Sequence, residues 1–118
     1  MFLYNESSTW NVAAELRLTV VTRSDTMIRS FADKDTERLS SGFRVARFLA
    51  FERVALRKIR QLQIANELSD LRIPPGNRLE ALSGDRAGQF SIRINDQFRV
   101  CFRWVEGGAE DVEIVDYH

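Results

Sequence analysis

The feature that most constrains this chain is a C-terminal third written largely in period two. Between Gln89 and Ile94, the apolar Phe90, Ile92 and Ile94 alternate with Gln89, Ser91 and Arg93. Between Phe98 and Trp104, Phe98, Val100, Phe102 and Trp104 alternate with Arg99, Cys101 and Arg103. Successive strand residues point to opposite faces, so each run predicts a strand with one apolar face and one face bearing arginine. Asn95-Asp96 supplies turn chemistry between the two runs. Gly107-Gly108 is a hairpin signal, placed before a last strand at Asp111–Val115. A shorter strand is expected at Arg78–Leu82, ending at Ser83-Gly84-Asp85. A sheet with one apolar face must be covered on that face.

The upstream chain supplies the cover. Phe48, Phe51, Ala55, Ile59 and Leu62 fall on one side of a main helix expected from Phe48 to Ala65, with Arg53, Arg57 and Arg60 elsewhere on it. A short polar helix is expected from Asp33 to Ser41, with Asp33 as N-cap and Gly42 as its stop. Glu67–Leu71 adds a helical turn, and Pro74-Pro75-Gly76 ends helix formation. Met27–Phe31 reads as a first strand. The order is β-α-α-β-β-β-β, an α+β fold in which two N-terminal helices pack on one face of a small antiparallel sheet. Residues 1–26 fit this pattern poorly. Leu16, Leu18 and Val20 would suit a short strand, and Asn5, Ser7, Ser8 and Thr9 read as loop. The expectation is an N-terminal extension over 1–26, from an upstream start or disordered, and a working domain over 27–118.

Composition narrows the function classes. With 118 residues the chain makes one domain, and its zero net charge gives no general affinity for nucleic acid. The distribution says more. Arg44 to Arg60 holds five arginines, one lysine and a single acid, whereas Val105 to His118 holds five acids and no lysine or arginine. The lone Cys101 cannot form an internal disulfide and sits in an apolar strand run, as suits a reducing compartment. No apolar run approaches the roughly 18 residues of a membrane span, and the start lacks the order of a signal peptide. A cytoplasmic protein with no membrane role is expected.

There is no Cys/His metal cluster, phosphate-binding glycine loop or recognisable Ser-His-Asp set. What remains is a set of arginines, carboxylates, a tyrosine and the only histidine, His118. Cleaving RNA without a metal needs a base for the 2′-hydroxyl, donors for charge growing on the phosphate, and an acid for the departing 5′-oxygen. Arginine suits the second task and histidine either proton task. Arg99 and Arg103 share a strand face, and the hairpin can bring Arg93 near them. Asp116, Tyr117 and His118 end a strand able to pair beside Arg99. Taken alone, such arginines are the solvated side of a sheet, a terminal histidine is a frayed end, and Glu80 is a surface carboxylate.

The run PPGNRLEALSGDRAGQFSIRINDQFRVCFRW, with DVEIVDYH at the end, closely resembles HigB-type killer toxins of the RelE/ParE superfamily. Met27–Phe31 and the segment Arg53-Val54-Ala55-Leu56-Arg57-Lys58 resemble that family's start and second helix. The resemblance implies a RelE-like fold and a metal-independent endoribonuclease, with no cofactor, that cuts mRNA in the ribosomal A site. It implies a cognate helix-turn-helix antitoxin (HigA-like), through whose complex alone the toxin meets DNA. By position, Arg99 resembles the phosphate-stabilising arginine. Asp116, Tyr117 and His118 resemble the catalytic C-terminal end, with His118 moving a proton and Tyr117 stacking on or orienting the substrate. Glu80 falls where one relative has histidine, as a general base. Arg78, Arg86, Arg93 and Arg103 are expected on RNA phosphates. Arg53, Arg57, Lys58 and Arg60 are expected to face the ribosome or antitoxin. Two departures stand out: Ser83 replaces a common lysine, and Phe48–Phe51 replaces a more polar, proline-containing segment. A non-hydrolytic inhibitor like the gyrase-poisoning ParE branch, or an inactive remnant, stays open on this reading.

Overall fold

The computed structural model describes residues 28–117. The extension over 1–26, its Leu16–Val20 strand, Met27 and His118 lie outside the described residues.

Helix α1, Lys34–Ser40, starts at the expected cap. Asp33 is extended, and its Oδ2 accepts from the Thr36 amide at 3.3 Å, which satisfies one of the donors a helix start leaves bare. Gly42, at φ +97, lets the Phe43 amide turn back onto the Arg38 carbonyl at 2.9 Å. The stop therefore rests on a backbone shape that glycine adopts without strain.

The main helix differs from its expected start at Phe48. Ala46–Phe51 is a 3-10 helix, and α2 runs Glu52–Ile64. Residues three apart eclipse in 3-10 geometry, which stacks Phe48 and Phe51 with ring centroids 5.8 Å apart. Phe51 then makes the break at φ −131, ψ 23. A spacing of three satisfies both helix types, so the same aromatics are buried either way. Beyond α2, the expected turn appears as a 3-10 helix at Leu68–Arg72, opened by reciprocal capping between Glu67 and Asp70. A cis Ile73-Pro74 peptide and a 3-10 turn at Pro75–Asn77 lead into the sheet.

The sheet is an antiparallel meander of β1 (Glu80–Ala81), β2 (Phe90–Arg93), β3 (Phe98–Val105) and β4 (Gly108–Asp116), in that order. The last reversal is tighter than Gly107-Gly108 indicates. Its loop is Glu106-Gly107, both at positive φ, and Gly108 already pairs with Val105. Two left-handed residues give the turn twist that suits a hairpin. β4 also begins before the expected Asp111, with Gly108 and Ala109 already paired, and a register shift opposite Cys101/Arg103 absorbs one extra residue within it. Along its edge, Ile28 and Phe31 bridge Ala109 and Val112 in parallel, which is the expected first strand in reduced form.

Helices cover one face, as expected. Leu39, Phe48, Ala55, Ile59 and Leu62 share a core with Ile92, Val100, Phe102 and Ile114. The Oγ1 of wholly buried Thr36 accepts the Ile114 amide at 3.0 Å, tying α1 to β4. The face away from the helices carries Ser91, Arg93, Arg99, Cys101 and Glu113, of which Ser91 and Cys101 are themselves buried.

Candidate active site

The β2–β3 register sets the site. Ser91 opposes Cys101, which opposes Glu113, and one step along Arg93 opposes Arg99, which opposes Val115. Directly opposed residues share a face, so two guanidinium groups meet on the uncovered side. Like charges placed opposite cost stability unless partnered. Arg93 is partnered by Asp96 at the hairpin turn. Arg99 is held by neutral oxygens instead: Nε donates to Ser91 Oγ at 2.7 Å and Nη2 to the Arg78 carbonyl at 2.5 Å. Its Nη1 makes no hydrogen bond among the described residues, and no carboxylate there neutralises the group. A guanidinium fixed on one side and open on the other suits a phosphate oxygen.

Arg78, Glu80, Arg93, Arg99 and Tyr117 line one cleft of about 600 Å³. Glu80 stands on β1 opposite Ser91, the residue that grips Arg99. An adjoining cleft of about 540 Å³ is lined by Ser83, Asp85, Arg86, Asp116 and Tyr117. Tyr117 borders both. Its amide donates to the Gln97 carbonyl at 2.7 Å, and its hydroxyl lies 3.5 Å from the Cys101 sulfur. Burial of the phenol, and then the Cys101 contact, push its pKa up to about 12. The phenol is therefore neutral near pH 7 and is suited to donate or stack, not to act as a base. Asp116 accepts from Gln97 Nε2 at 3.0 Å. Burial pushes the Cys101 thiol above its ordinary pKa, so it stays protonated and is no nucleophile.

Five of the residues singled out in the sequence thus meet in one cleft, and Arg86 and Asp116 meet in its neighbour. Arg86 is engaged within the protein, with Nη1 donating to Gln89 Oε1 at 2.9 Å and an ion pair to Glu113 at 3.4 Å. Arg103 is not brought in. It lies four residues along β3 from Arg99, roughly 13 Å by strand rise, and its Nε faces Asp111 at 3.7 Å. Arg53, Arg57 and Arg60 are exposed on α2.

Lys58 is a correction. Expected on that exposed patch, it is only 7% exposed. It lies three residues after Ala55 and four before Leu62, which places it on the buried stripe of a 3.6-residue helix. Its Nζ donates to Asn77 Oδ1 at 2.5 Å. Burial and then the like charges of Arg57 and Arg93 hold its pKa below the ordinary lysine value. Sequence reasoning also passed over Asn77 and Ser91, both wholly buried. The signal for Asn77 was its place after Pro-Pro-Gly, where an amide side chain commonly bonds backbone. Among the described residues no group of three His, Cys, Asp or Glu is arranged to hold a metal ion.

Residues 22–118 match the profile of a family described as HigB-like toxin, the RelE-like toxin of type II toxin–antitoxin system HigB. The chain is similar to toxin HigB-1 of Vibrio cholerae serotype O1, with 42% identity over 85 residues covering 70% of this chain and 90% of that protein. It is also similar to an uncharacterized protein of Haemophilus influenzae, with 35% identity over 52 residues, 44% of this chain and 52% of the other. Among solved structures, it is similar to the YoeB dimer of Staphylococcus aureus, at TM-score 0.46 and 19% identity, over 77% of this chain and 94% of that one.

Proposed function

Because the chain belongs to the HigB-like family of RelE-like toxins from type II toxin–antitoxin systems, we propose that it is an endoribonuclease that cleaves mRNA on the ribosome. The observation that carries this reading is Arg99, fixed by Ser91 and the Arg78 carbonyl and lining a cleft shared by Arg93, Arg78, Glu80 and Tyr117, with no hydrogen bond from its Nη1 among the described residues. Three guanidinium groups against two carboxylates, Glu80 and the Asp96 that pairs with Arg93, leave the open cleft net positive, which fits a phosphodiester better than a small neutral ligand.

In the proposed reaction, the 2′-oxygen attacks the adjacent phosphorus, its proton passing to a base. A 2′,3′-cyclic phosphate forms as the P–O5′ bond breaks, and an acid gives a proton to the leaving 5′-oxygen. Arg99 and Arg93 stabilise the charge that grows on the phosphoryl oxygens. Glu80, in the same cleft, is assigned the base role. His118 follows Tyr117 directly and is assigned the acid role, with Asp116 orienting it. The neutral Tyr117 phenol offers a ring on which a splayed base stacks. Arg78 contacts a flanking phosphate, and exposed Arg53, Arg57 and Arg60 add long-range attraction to ribosomal RNA.

A type II toxin of this family has a cognate antitoxin. We assign that partner as a HigA-like helix-turn-helix protein, and the cytoplasm as the place of action. No helix among the described residues is long and apolar enough to cross a membrane. The test is cleavage of a defined mRNA, free and positioned on purified ribosomes. Cutting only in the ribosome-bound case, at a fixed distance from the A-site codon, is expected. Equal cutting of free mRNA would remove the ribosome from the account.

A further inference from the structure

The loop that grips Arg99 is itself anchored from below. Asn77 is wholly buried, an unusual place for an amide unless all its polar atoms are satisfied. They are. Its Oδ1 accepts from Lys58 Nζ at 2.5 Å, and its Nδ2 donates to Gln61 Oε1 at 2.8 Å and to the Leu71 carbonyl at 3.0 Å. Its amide closes the preceding turn onto the Pro74 carbonyl at 2.9 Å. Lys58 and Gln61, three residues apart and so neighbours on one face of α2, therefore hold one side chain of the loop.

The next residue, Arg78, adopts a left-handed conformation at φ 46, ψ 57. That shape costs a non-glycine residue energy and persists only where the surroundings enforce it. Its consequence is directional. The Arg78 carbonyl accepts Arg99 Nη2 at 2.5 Å, which with Ser91 Oγ fixes the guanidinium plane of a residue that lines the cleft and leaves Nη1 without a hydrogen bond among the described residues. A buried ammonium that touches no carboxylate among the described residues has little to offer stability by itself.

We propose that Lys58 and Asn77 are positioning residues for the reaction, locking the 73–78 loop to α2 so that the Arg78 carbonyl orients Arg99. This inference rests on the endoribonuclease reading, and neither residue touches substrate. Misplacing a catalytic group by about 1 Å can cost on the order of 100-fold in rate, so the effect belongs in kcat and leaves KM nearly unchanged.

The experiment compares the full chain with Lys58→Met, which keeps length and apolar bulk but removes the donor, and with Asn77→Ala. Two readouts are taken. The first, independent of activity, is the NMR signal and water exchange of the Arg99 Nε–H, with strand amides as the control for folding. Faster exchange at Arg99 Nε–H with unchanged protection in β3 and β4 is expected. An unaltered Arg99 signal in folded Lys58→Met overturns the proposal whether or not the protein cleaves RNA. Should Asn77→Ala fail to fold, Lys58→Met alone decides. The second readout is single-turnover cleavage on ribosomes. At least a tenfold loss in maximal rate with KM within about twofold is expected, with recovery in Lys58→Arg. A perturbed Arg99 with an unchanged rate overturns the positioning role. A wild-type chain that cuts nothing overturns the endoribonuclease reading and with it the role in reaction, while the first readout still decides whether the loop orients Arg99.

Discussion

Arg99 concentrates the account at the scale of single residues. Its Nε and Nη2 are committed to Ser91 and Arg78, which fixes the guanidinium plane of a residue that lines the cleft. Removing one preorganised donor of developing negative charge costs about 10²–10³ in rate. Arg99→Ala is expected to lose cleavage by at least that factor. The same change leaves the buried Ser91 hydroxyl without its arginine donor, so a destabilisation of about 1 kcal/mol is expected by urea titration. A loss several times larger would make Arg99 a structural residue first. Tyr117 gives a pH test. Its folded pKa of about 12 lies above the ordinary 10.0, so the neutral phenol's contribution to stability is complete below pH 10 and is lost as pH rises through about 12. In a Tyr4→Phe background, phenolate absorbance should rise with a midpoint near 12. A midpoint at the free-tyrosine value would show that Tyr117 is not seated against Cys101.

Elements were legible in the sequence where a period was clean, and less so where tertiary contacts chose between two answers. The alternation over Gln89–Ile94 and Phe98–Trp104 placed the ends of β2 and β3 to within one residue, because one buried face permits only one register. The Asp33 cap and Gly42 stop of α1 were equally readable, since each rests on local backbone chemistry. The start of α2 was not. A three-residue spacing of phenylalanines serves both a 3-10 and an α-helix, and packing of Phe51 on Phe98, with centroids 4.4 Å apart, accompanies the break. Lys58 was misplaced for a related reason: its charge was read before its position on the helix. Thr36 shows how elements are fastened across the fold. Thr36→Val keeps the shape but deprives the buried Ile114 amide of its acceptor, an expected cost of about 1–3 kcal/mol. Denaturation at the wild-type midpoint would show that water or another oxygen replaces the threonine.

For the whole molecule, function follows from a division between two faces. Helices occupy one side of the meander, and the other gathers guanidinium groups that a neutral overall charge conceals. That grouping was only half legible. Strand alternation put Arg99 and Arg103 on one face and the hairpin brought Arg93 near, but the bonds that aim Arg99 come from Ser91 on β2 and from the carbonyl of Arg78, a residue read only as the start of a short strand. We propose that residues 27–118 are the working domain. Ile28 through Ala32 supply the edge contacts to β4, so a chain beginning at Met27 keeps every contact among the described residues. It should match the full chain in melting temperature and toxicity, and an unstable or inactive product would give residues 1–26 a role in the fold or the site.

The central claim is that this cleft cuts mRNA during translation. The most direct measurement is a transcriptome-wide map of mRNA 5′ ends shortly after induction of the wild-type chain, with Arg99→Ala at equal abundance as the control. The account predicts new 5′ ends in translated regions, at a constant offset within codons, that appear with the wild type and vanish with Arg99→Ala. Growth arrest without such ends, or with a DNA-damage response in their place, would contradict it and favour a non-hydrolytic poison on the same fold.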